Sequence, residues 1–225
     1  MLLRSLYDDA SVRTIASQWT GAKNRPGWSL GVTGRKSAFK PQTLVLQLTG
    51  DPAKHGADSE NVFSGLHIAL NKPYFVAVSV NLGATDKKGI TFYAKDLSND
   101  DEPMQSVRSS HQATSRSVAE AVFTIGGRDL AKPDHNWDGL IDDVRLSRGV
   151  LRAEQLLLTA EGVTDRTIGY WQFETKPGAY KDSSAHGNDI RTTGPASGAA
   201  TDRRTAALAD LCHVLLNANE FLYVD

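Results

Sequence analysis

Cysteine is nearly absent from this sequence of 225 residues, because Cys212 is the only one. An internal disulfide is therefore excluded, although a domain of this size can bury a core without one. Cys212 lies in the apolar pattern LADLCHVLL, which favours a buried structural thiol over a reactive one. The sequence also lacks any apolar run of the ~18–20 residues that a membrane span needs, so membrane insertion is not expected.

An excess of charge of one sign is also missing. The chain has 25 basic and 26 acidic residues, and its basic clusters, such as Arg203-Arg204, are too short to form a polybasic arm. No net field would therefore steer nucleic acid or an anionic membrane toward the protein. Nucleic acid is not an expected partner.

Short runs with alternating apolar residues dominate the sequence. In TLVLQL (43–48), for example, three leucines alternate with Thr43, Val45 and Gln47. This period of two predicts strands, and the spacing of the runs is typical of a β-sandwich or jelly roll. The predicted strands cover residues 13–19, 27–32, 43–48, 73–82, 89–96, 121–128, 140–147 and 168–174.

Two segments have helical spacing instead. LRAEQLLLTAEG (151–162) predicts a short helix, and an apolar stripe in residues 203–225 predicts a C-terminal helix. GPASGAATD (194–202), which is small and polar, predicts a linker. The predicted fold class is all-β, a two-sheet jelly-roll sandwich with a short helix after the LIDDVRLS strand and a C-terminal helix.

The order of the motifs is similar to that of a known superfamily. IASQW, GWSLGV, LVLQLTG, PYFVAVSV, ITFYAKD, FTIGGR and WDGLIDDVRLSRGVLRAEQL follow one another over roughly residues 13–158. They resemble the LamG-like branch of the concanavalin A-like lectin/glucanase superfamily, in which an IDDVR strand and a following helix mark the end of the jelly roll. The resemblance implies an extracellular or periplasmic location, although MLLRSLYDDASVR lacks the apolar segment of a signal peptide.

The segment GYWQFETKPGAYKDSSAHGND (169–189) resembles the opening of that family but follows its closing motif. Either the chain is a fragment, or the opening strand is supplied from the C-terminal side, as in a circular permutation. We favour the second interpretation, because a sandwich without that strand would expose unpaired backbone groups that IGYWQFE (168–174) could fill. The predicted jelly roll therefore spans residues 1–193. Residues 207–225 resemble the end of an uncharacterised domain of planctomycete multi-domain proteins, which implies a larger parent chain.

Two adjacent aspartates, Asp142 and Asp143, interrupt the apolar pattern of LIDDVRLS. In a strand, Asp142 would share a face with apolar neighbours, and a buried carboxylate needs hydrogen bonds, a cation or a metal. One interpretation is that Asp142 accepts backbone N–H bonds. The other follows from the resemblance, since many relatives hold Ca²⁺, which binds six to eight oxygens. The calcium ligands it implies are Asp142 and three residues of KDSSAHGND: Asp182, Asn188 and Asp189.

The tryptophans are the candidates for stacking on sugar rings. Trp137 lies in the loop DHNWDG with His135 and Asn136 as polar neighbours. Aromatic and amide groups that converge are what carbohydrate recognition requires, so these three are the predicted ligand-binding residues. The other tryptophans occupy strand positions and are predicted to fill the core: Trp19, Trp28 and Trp171.

The resemblance implies non-catalytic binding of a glycan, as a module of a larger exported protein. The alternative is a structural or protein-interaction module without a small ligand. A glycoside hydrolase is less favoured, because the glucanases of the superfamily carry a Glu-x-Asp-x-x-Glu motif that is missing here. The sequence also has no G-x-S-x-G elbow, Gly-rich phosphate loop or zinc-type histidine spacing. We therefore expect a non-enzyme with a glycan or protein partner, and Ca²⁺ as its one candidate cofactor.

Overall fold

A computed structural model gives the fold of the chain, which divides into two units, Met1–Ile190 and Arg191–Asp225. The predicted linker (194–202), the predicted C-terminal helix (203–225) and Cys212 lie outside the described residues. No helix in the described part of the chain has the length and apolarity that crossing a bilayer requires. The structure describes residues 1–22, 25–49, 59–84, 86, 88–113, 121–128, 135–174 and 179–191.

The described residues form fourteen strands, most of them in the positions that the alternation predicts. In chain order they are β1 (Leu2–Leu3), β2 (Val12–Gln18), β3 (Gly27–Thr33), β4 (Thr43–Thr49), β5 (Glu60–His67), β6 (Tyr74–Val80), β7 (Ile90–Asp96), β8 (Gln105–Ser109), β9 (Thr124–Ile125), β10 (Gly139–Leu140), β11 (Val144–Ser147), β12 (Thr167–Trp171), β13 (Ala179–Tyr180) and β14 (Ile190–Arg191).

Two antiparallel sheets hold most of the strand residues. The larger has the order β5–β4–β3–β2–β9, and the smaller has the order β6–β7–β8. Shorter antiparallel ladders join β1 to β10 and β11 to β12. The all-β class predicted from the sequence is therefore confirmed.

One hydrophobic core draws side chains from both sheets. Leu30, Leu46 and Val62 are paired across β3, β4 and β5 and are all buried. Directly paired residues present their side chains on the same face of a sheet, so this face of the five-stranded sheet is apolar. Phe92 of β7, which is 0 % exposed, packs in the same cluster. The opposite face of the five-stranded sheet is left for other contacts.

The strand predicted over residues 140–147 is interrupted, so that prediction is wrong in the middle. Asp143 has a φ of 46°, in the left-handed region that an extended strand does not use. β10 therefore ends at Leu140 and pairs with β1, while β11 begins at Val144 and pairs with β12. Asp142 therefore lies between the two strands, and the alternation of strand side chains does not determine which way its own side chain points. The residue is half-buried.

The helix predicted over residues 151–162 is reduced to one 3₁₀ turn, Ala153–Gln155, followed by further turns. Leu156 already has an extended backbone, with φ −73° and ψ 160°. An α-helix would satisfy the carbonyl groups of this segment internally, but here a side chain binds them. The Arg145 guanidinium donates to three carbonyl oxygens at 2.5, 2.7 and 2.9 Å: those of Gln155, Ala160 and Gly162.

The late segment IGYWQFE contains β12, which pairs antiparallel with β11 through Val144–Trp171 and Leu146–Gly169. The segment therefore forms a strand, as predicted. The sequence analysis expected that strand to complete the two-sheet sandwich, and the structure does not show this. Among the described strands, β12 pairs with β11 and with neither of the two larger sheets.

Candidate functional site

A row of polar side chains crosses the face of the five-stranded sheet that is opposite the core. The register aligns one residue from each strand, and directly paired residues share a face. In β3 and β4, the residue that belongs to the row is adjacent in sequence to a leucine that faces the core. Its side chain therefore points to the opposite face of the sheet. From β5 to β9, its members are Asn61, Gln47, Ser29, Ser17 and Thr124.

The middle of this row is closed to a ligand. Ser17 and Ser29 are both 0 % exposed. The Ser17 hydroxyl donates to the Gly127 carbonyl oxygen at 2.9 Å, and the Ser29 hydroxyl lies 3.4 Å from Thr14 Oγ1. Buried hydroxyls need such partners, so these serines support the sheet.

The β4–β5 end of the row is open. Asn61 is exposed, and Gln47 Nε2 donates to Asn61 Oδ1 at 3.0 Å. The Arg128 guanidinium donates to Gln47 Oε1 and lies over the Trp19 ring, 4.8 Å from its centroid. Two amides and a guanidinium therefore form a connected group of hydrogen-bonding side chains, and the ring contact holds the guanidinium in place.

An aromatic pair lies on the same face, beside the amides. Phe63 follows Asn61 by two positions in β5, so the two side chains share a face. Phe39 is 71 % exposed and stacks on Phe63, with ring centroids 4.9 Å apart and planes 25° apart. An aromatic pair on the same sheet face as amides can contact the apolar face of a sugar ring while the amides bond its hydroxyls. We call this group the β4–β5 patch: Phe39, Gln47, Asn61, Phe63 and Arg128.

The sequence analysis missed this patch because it missed β5. The alternation in TLVLQL did place Gln47 opposite the leucines, and that was the one available signal. The pairing of Gln47 with Asn61, and the stacking of Phe39 on Phe63, depend on contacts between strands that a single sequence does not reveal.

The three predicted ligand-binding residues lie together, and the protein itself contacts the side chains of Trp137 and His135. The Trp137 indole N–H faces the carbonyl oxygens of Leu2 at 3.2 Å and Leu140 at 3.3 Å, and the ring is half-buried against the core. His135 Nδ1 lies 3.1 Å from the Val12 amide nitrogen and 3.0 Å from its carbonyl oxygen. Asn136 is exposed. Glycan binding by this loop stays a prediction.

The predicted calcium loop is held together by the Asp182 carboxylate. Oδ1 accepts the amide N–H groups of Tyr170 at 2.9 Å and Ser184 at 2.8 Å. Oδ2 accepts the Ser184 hydroxyl at 2.7 Å and the Asn188 N–H at 3.0 Å. These four bonds match the roughly four lone-pair sites of a carboxylate. Asp182 therefore joins its own loop to β12.

The other predicted ligands are also placed by the structure. Asp189 Oδ1 accepts the Asp182 N–H at 2.9 Å, and Asn188 Nδ2 donates to the Ile168 carbonyl oxygen at 2.8 Å. No hydrogen bond from Asp142 to another described residue is found. Across the described ranges, no group of three or more His, Cys, Asp or Glu side chains could hold a metal ion.

We expect Ca²⁺ to leave the melting temperature of EDTA-treated protein unchanged, because the Asp182 oxygens are already engaged. Binding at 100 times Kd would stabilise the fold by about 2.7 kcal/mol, a rise of roughly 5–10 °C for a domain of this size. The measurement is a thermal scan with Ca²⁺, with Mg²⁺ and with EDTA. A rise of that size that is lost in Asp142→Asn would establish the site that the sequence predicts.

Of the two adjacent aspartates, Asp143 is the one that bonds β12, since the Tyr170 hydroxyl donates to its Oδ1 at 3.1 Å. Desolvation raises the pKa of Asp143; the hydrogen bond from Tyr170 opposes this, and the charges of Asp142, Glu174 and Glu161 add to the rise. Burial, followed by the charge of Asp143, raises the pKa of Tyr170 to about 12. The Tyr170 phenol therefore stays neutral at physiological pH and serves as a donor.

Comparison of the chain with protein-family models, with curated proteins and with solved structures gave no match. The case for a function therefore depends on the geometry of the chain itself.

Proposed function

We propose that this chain is a non-catalytic binding module with a concanavalin A-like, two-sheet jelly-roll sandwich, and that its ligand is a glycan. Two larger sheets that share one core support the sandwich. The motif order in the sequence supports the jelly-roll connection. The module would belong to a larger exported protein, since the LamG-like resemblance implies that setting.

The β4–β5 patch is the observation that carries the glycan proposal. It combines an exposed stacked phenylalanine with two amides and a guanidinium on one sheet face. A sugar offers hydroxyls that can both donate and accept, and a C–H face that packs on an aromatic ring. Amides supply both hydrogen-bonding roles, so the patch matches both features of a sugar.

We expect Phe39→Ala to weaken glycan-array binding at least tenfold, because the exposed ring supplies the stacking surface. A loss of about 1.4 kcal/mol corresponds to that factor, and truncated aromatic contacts at binding sites commonly cost more than 1 kcal/mol. Val122→Ala, which changes another exposed apolar side chain, is the control and should bind normally.

Trp137→Ala distinguishes this patch from the loop that the sequence predicts. Retained binding in Phe39→Ala together with loss in Trp137→Ala would assign the site to the loop of residues 135–137. An array that is blank for the unmodified protein would rule out the glycan proposal.

The second candidate, a protein-interaction module, is supported by a different observation. The edge of β11 that faces away from β12, and the edge of β6 beyond Tyr74, have no partner among the described strands. At Tyr74 itself, Met1 is the partner. An unpaired edge is a template for another polypeptide.

A further inference from the structure

The loop between β3 and β4 carries a lysine onto β5, beside the β4–β5 patch. The β4–β5 ladder is irregular between Thr43 and Val45, and in this part of β5 Gly65 has a φ of 74°, in the left-handed region. The position that a Cβ atom would take on Gly65 is 3.0 Å from Lys40 Nζ. The ammonium group of Lys40 therefore lies directly over β5, where a glycine leaves room for it.

This ammonium group lies beside the stacked rings of the patch. Lys40 directly follows Phe39 in the loop, and Gly65 follows Phe63 by two positions in β5. Phe39 stacks on Phe63 while Lys40 Nζ lies over Gly65. Because two residues of a strand span roughly 7 Å, the positive charge and the ring pair are neighbours along β5.

The backbone of the loop is held in place at this end. The hydroxyl of Thr33, which is 2 % exposed, donates to the Lys40 carbonyl oxygen at 2.6 Å and accepts the Thr43 N–H at 3.0 Å. The Gln42 N–H donates to the Thr33 carbonyl oxygen at 3.1 Å, and its Nε2 donates to the Ile68 carbonyl oxygen at 2.8 Å. A ligand therefore does not have to order this part of the loop, which lowers the entropic cost of binding.

The charge of Lys40 is not neutralised within the described part of the chain. Lys40 is exposed, and no described carboxylate or other acceptor lies within bonding distance of its Nζ. Glu60 is the one acidic residue of β5, and its two oxygens accept the backbone N–H groups of Gln112 and Ala113 at 2.8–3.0 Å. Its side chain also points to the face opposite that of Asn61, the next residue. The surface around Lys40 is therefore suited to an anion.

The amides on the other side of the ring pair also present a donor. The Arg128 guanidinium donates to Gln47 Oε1, and Gln47 Nε2 donates to Asn61 Oδ1 at 3.0 Å. Both ends of the Gln47 amide are therefore engaged, and this chain of hydrogen bonds ends at the NH₂ group of the exposed Asn61. No acceptor for that group is found among the described residues. An amide NH₂ group only donates, so it binds an oxygen of a ligand.

We propose that the glycan bound at the β4–β5 patch is acidic, and that its anionic group, a uronate carboxylate or a sulfate ester, pairs with the Lys40 ammonium. This inference rests on the proposed glycan function and names the class of glycan. The sugar that carries the anionic group packs on Phe39, and Asn61 donates to an oxygen beyond the rings. Three contacts of different kinds therefore follow one another along β5: an ion pair, a ring contact and a hydrogen bond.

The test compares glycans that differ only in charge. A glycan array offers the full chain neutral, uronate-containing and sulfated oligosaccharides; each uronate is paired with its methyl ester, and each sulfated member with its desulfated form. We expect the strongest ligands to be acidic and to bind about fivefold more tightly than their neutral partners, the upper value for an exposed ion pair. The pair that shows this difference tells whether the anionic group is a carboxylate or a sulfate.

Substitution of Lys40 shows whether this residue is the source of the preference. Lys40→Gln removes the charge but keeps most of the side chain, so it should weaken binding of the acidic glycan about fivefold and that of its neutral partner less than about twofold. Lys40→Arg keeps the charge and should keep the preference. Lys88→Gln removes the same charge from an exposed residue just before β7, in the smaller sheet, and should change neither affinity.

The possible results separate this inference from the glycan proposal. Equal binding of the charged and neutral members, or a preference that survives in Lys40→Gln, would overturn the acidic glycan and leave the glycan proposal standing. A blank array would reject both. Phe39→Ala should weaken the charged and neutral members by the same factor, because the ring contact does not depend on the charge of the sugar.

Discussion

Replacing Trp171 with alanine is expected to lower the free energy of unfolding by about 3–5 kcal/mol, the usual cost of truncating a buried aromatic residue. Trp171 is 2 % exposed, its ring stacks on Phe123 with centroids 5.2 Å apart, and its indole N–H donates to the Asn188 carbonyl oxygen at 2.8 Å. The side chain therefore links β12 to the segment before β9 and to the loop after β13. Urea denaturation measures the loss.

Two variants separate packing from hydrogen bonding at this position. Trp171→Phe keeps most of the ring but removes the N–H donor, so its cost should be smaller, about 1–2 kcal/mol. Val122→Ala changes an exposed side chain and should stay within about 0.5 kcal/mol of the unmodified protein. Unchanged stability of Trp171→Ala would show that β12 is not packed as described.

Asp182→Asn is expected to cost about 1.5–3 kcal/mol, the range for hydrogen bonds to a charged group. The carboxylate accepts four bonds, three of them from backbone N–H groups. An amide side chain has one acceptor oxygen, and its NH₂ group would face donors. Part of the connection between the 182–188 loop and β12 would be lost. Urea denaturation at pH 7 gives the difference, with Asp165→Asn, an exposed aspartate, as the control.

The same substitution should remove a pH dependence. Desolvation acts to raise the pKa of Asp182, but the hydrogen bonds from Ser184, Tyr170 and Asn188 outweigh it and lower the pKa from 3.8 to about 2. A lowered pKa in the folded state means that the carboxylate stabilises the protein fully above about pH 4. That stabilisation is lost as the pH falls toward 2.

The quantity to follow with pH is the difference in unfolding free energy between the unmodified protein and Asp182→Asn, because another aspartate titrates over the same range. Hydrogen bonds from Ser98, then Lys72, lower the pKa of Asp96 to about 2, so this residue titrates over the same range. The stability gap between the unmodified protein and Asp182→Asn should close between pH 4 and pH 2. A gap that stays constant with pH would contradict the role given to the carboxylate.

Much of the sheet could be predicted from alternation alone. The bounds of β2, β3, β4 and β7 agree with the predicted runs to within one residue at each end, because each run places apolar side chains on a buried face. β5 was missed because a polar residue, Ser64, lies on its inner face. The Ser64 hydroxyl donates to the Leu44 carbonyl oxygen at 2.9 Å. The sheet therefore accommodates this buried hydroxyl, but a serine at that position interrupts the apolar alternation in the sequence.

Other elements could not be predicted because contacts distant in sequence decide them. β8, QSVRS, is polar and lies at the edge of its sheet, so it lacks a buried face to generate alternation. The segment 151–162 has helical spacing, yet the Arg145 guanidinium takes its carbonyl groups. The strand 140–147 breaks at Asp143, whose left-handed backbone no hydropathy pattern indicates.

The two candidate sites also differ in how far the sequence alone could predict them. The residue types of the loop that contains Trp137 were enough to find it in the sequence. The sequence did not reveal that the carbonyl groups of Leu2 and Leu140 engage the Trp137 indole. The β4–β5 patch depends on strand register and on the stacking of Phe39 on Phe63. Sequence therefore indicates which side chains could bind a ligand, and the fold decides which of them are available.

The pairing of β1 with β10 has a consequence for synthesis on the ribosome. Leu2 pairs with Leu140, about 140 residues later, and translation proceeds at about 5–20 residues per second. The β1–β10 ladder therefore cannot form until roughly 7–28 s after Leu2 is made. Throughout that interval the nascent chain presents Leu2 and Leu3 without the cover that β10 gives them, which makes this protein a candidate client for co-translational chaperones.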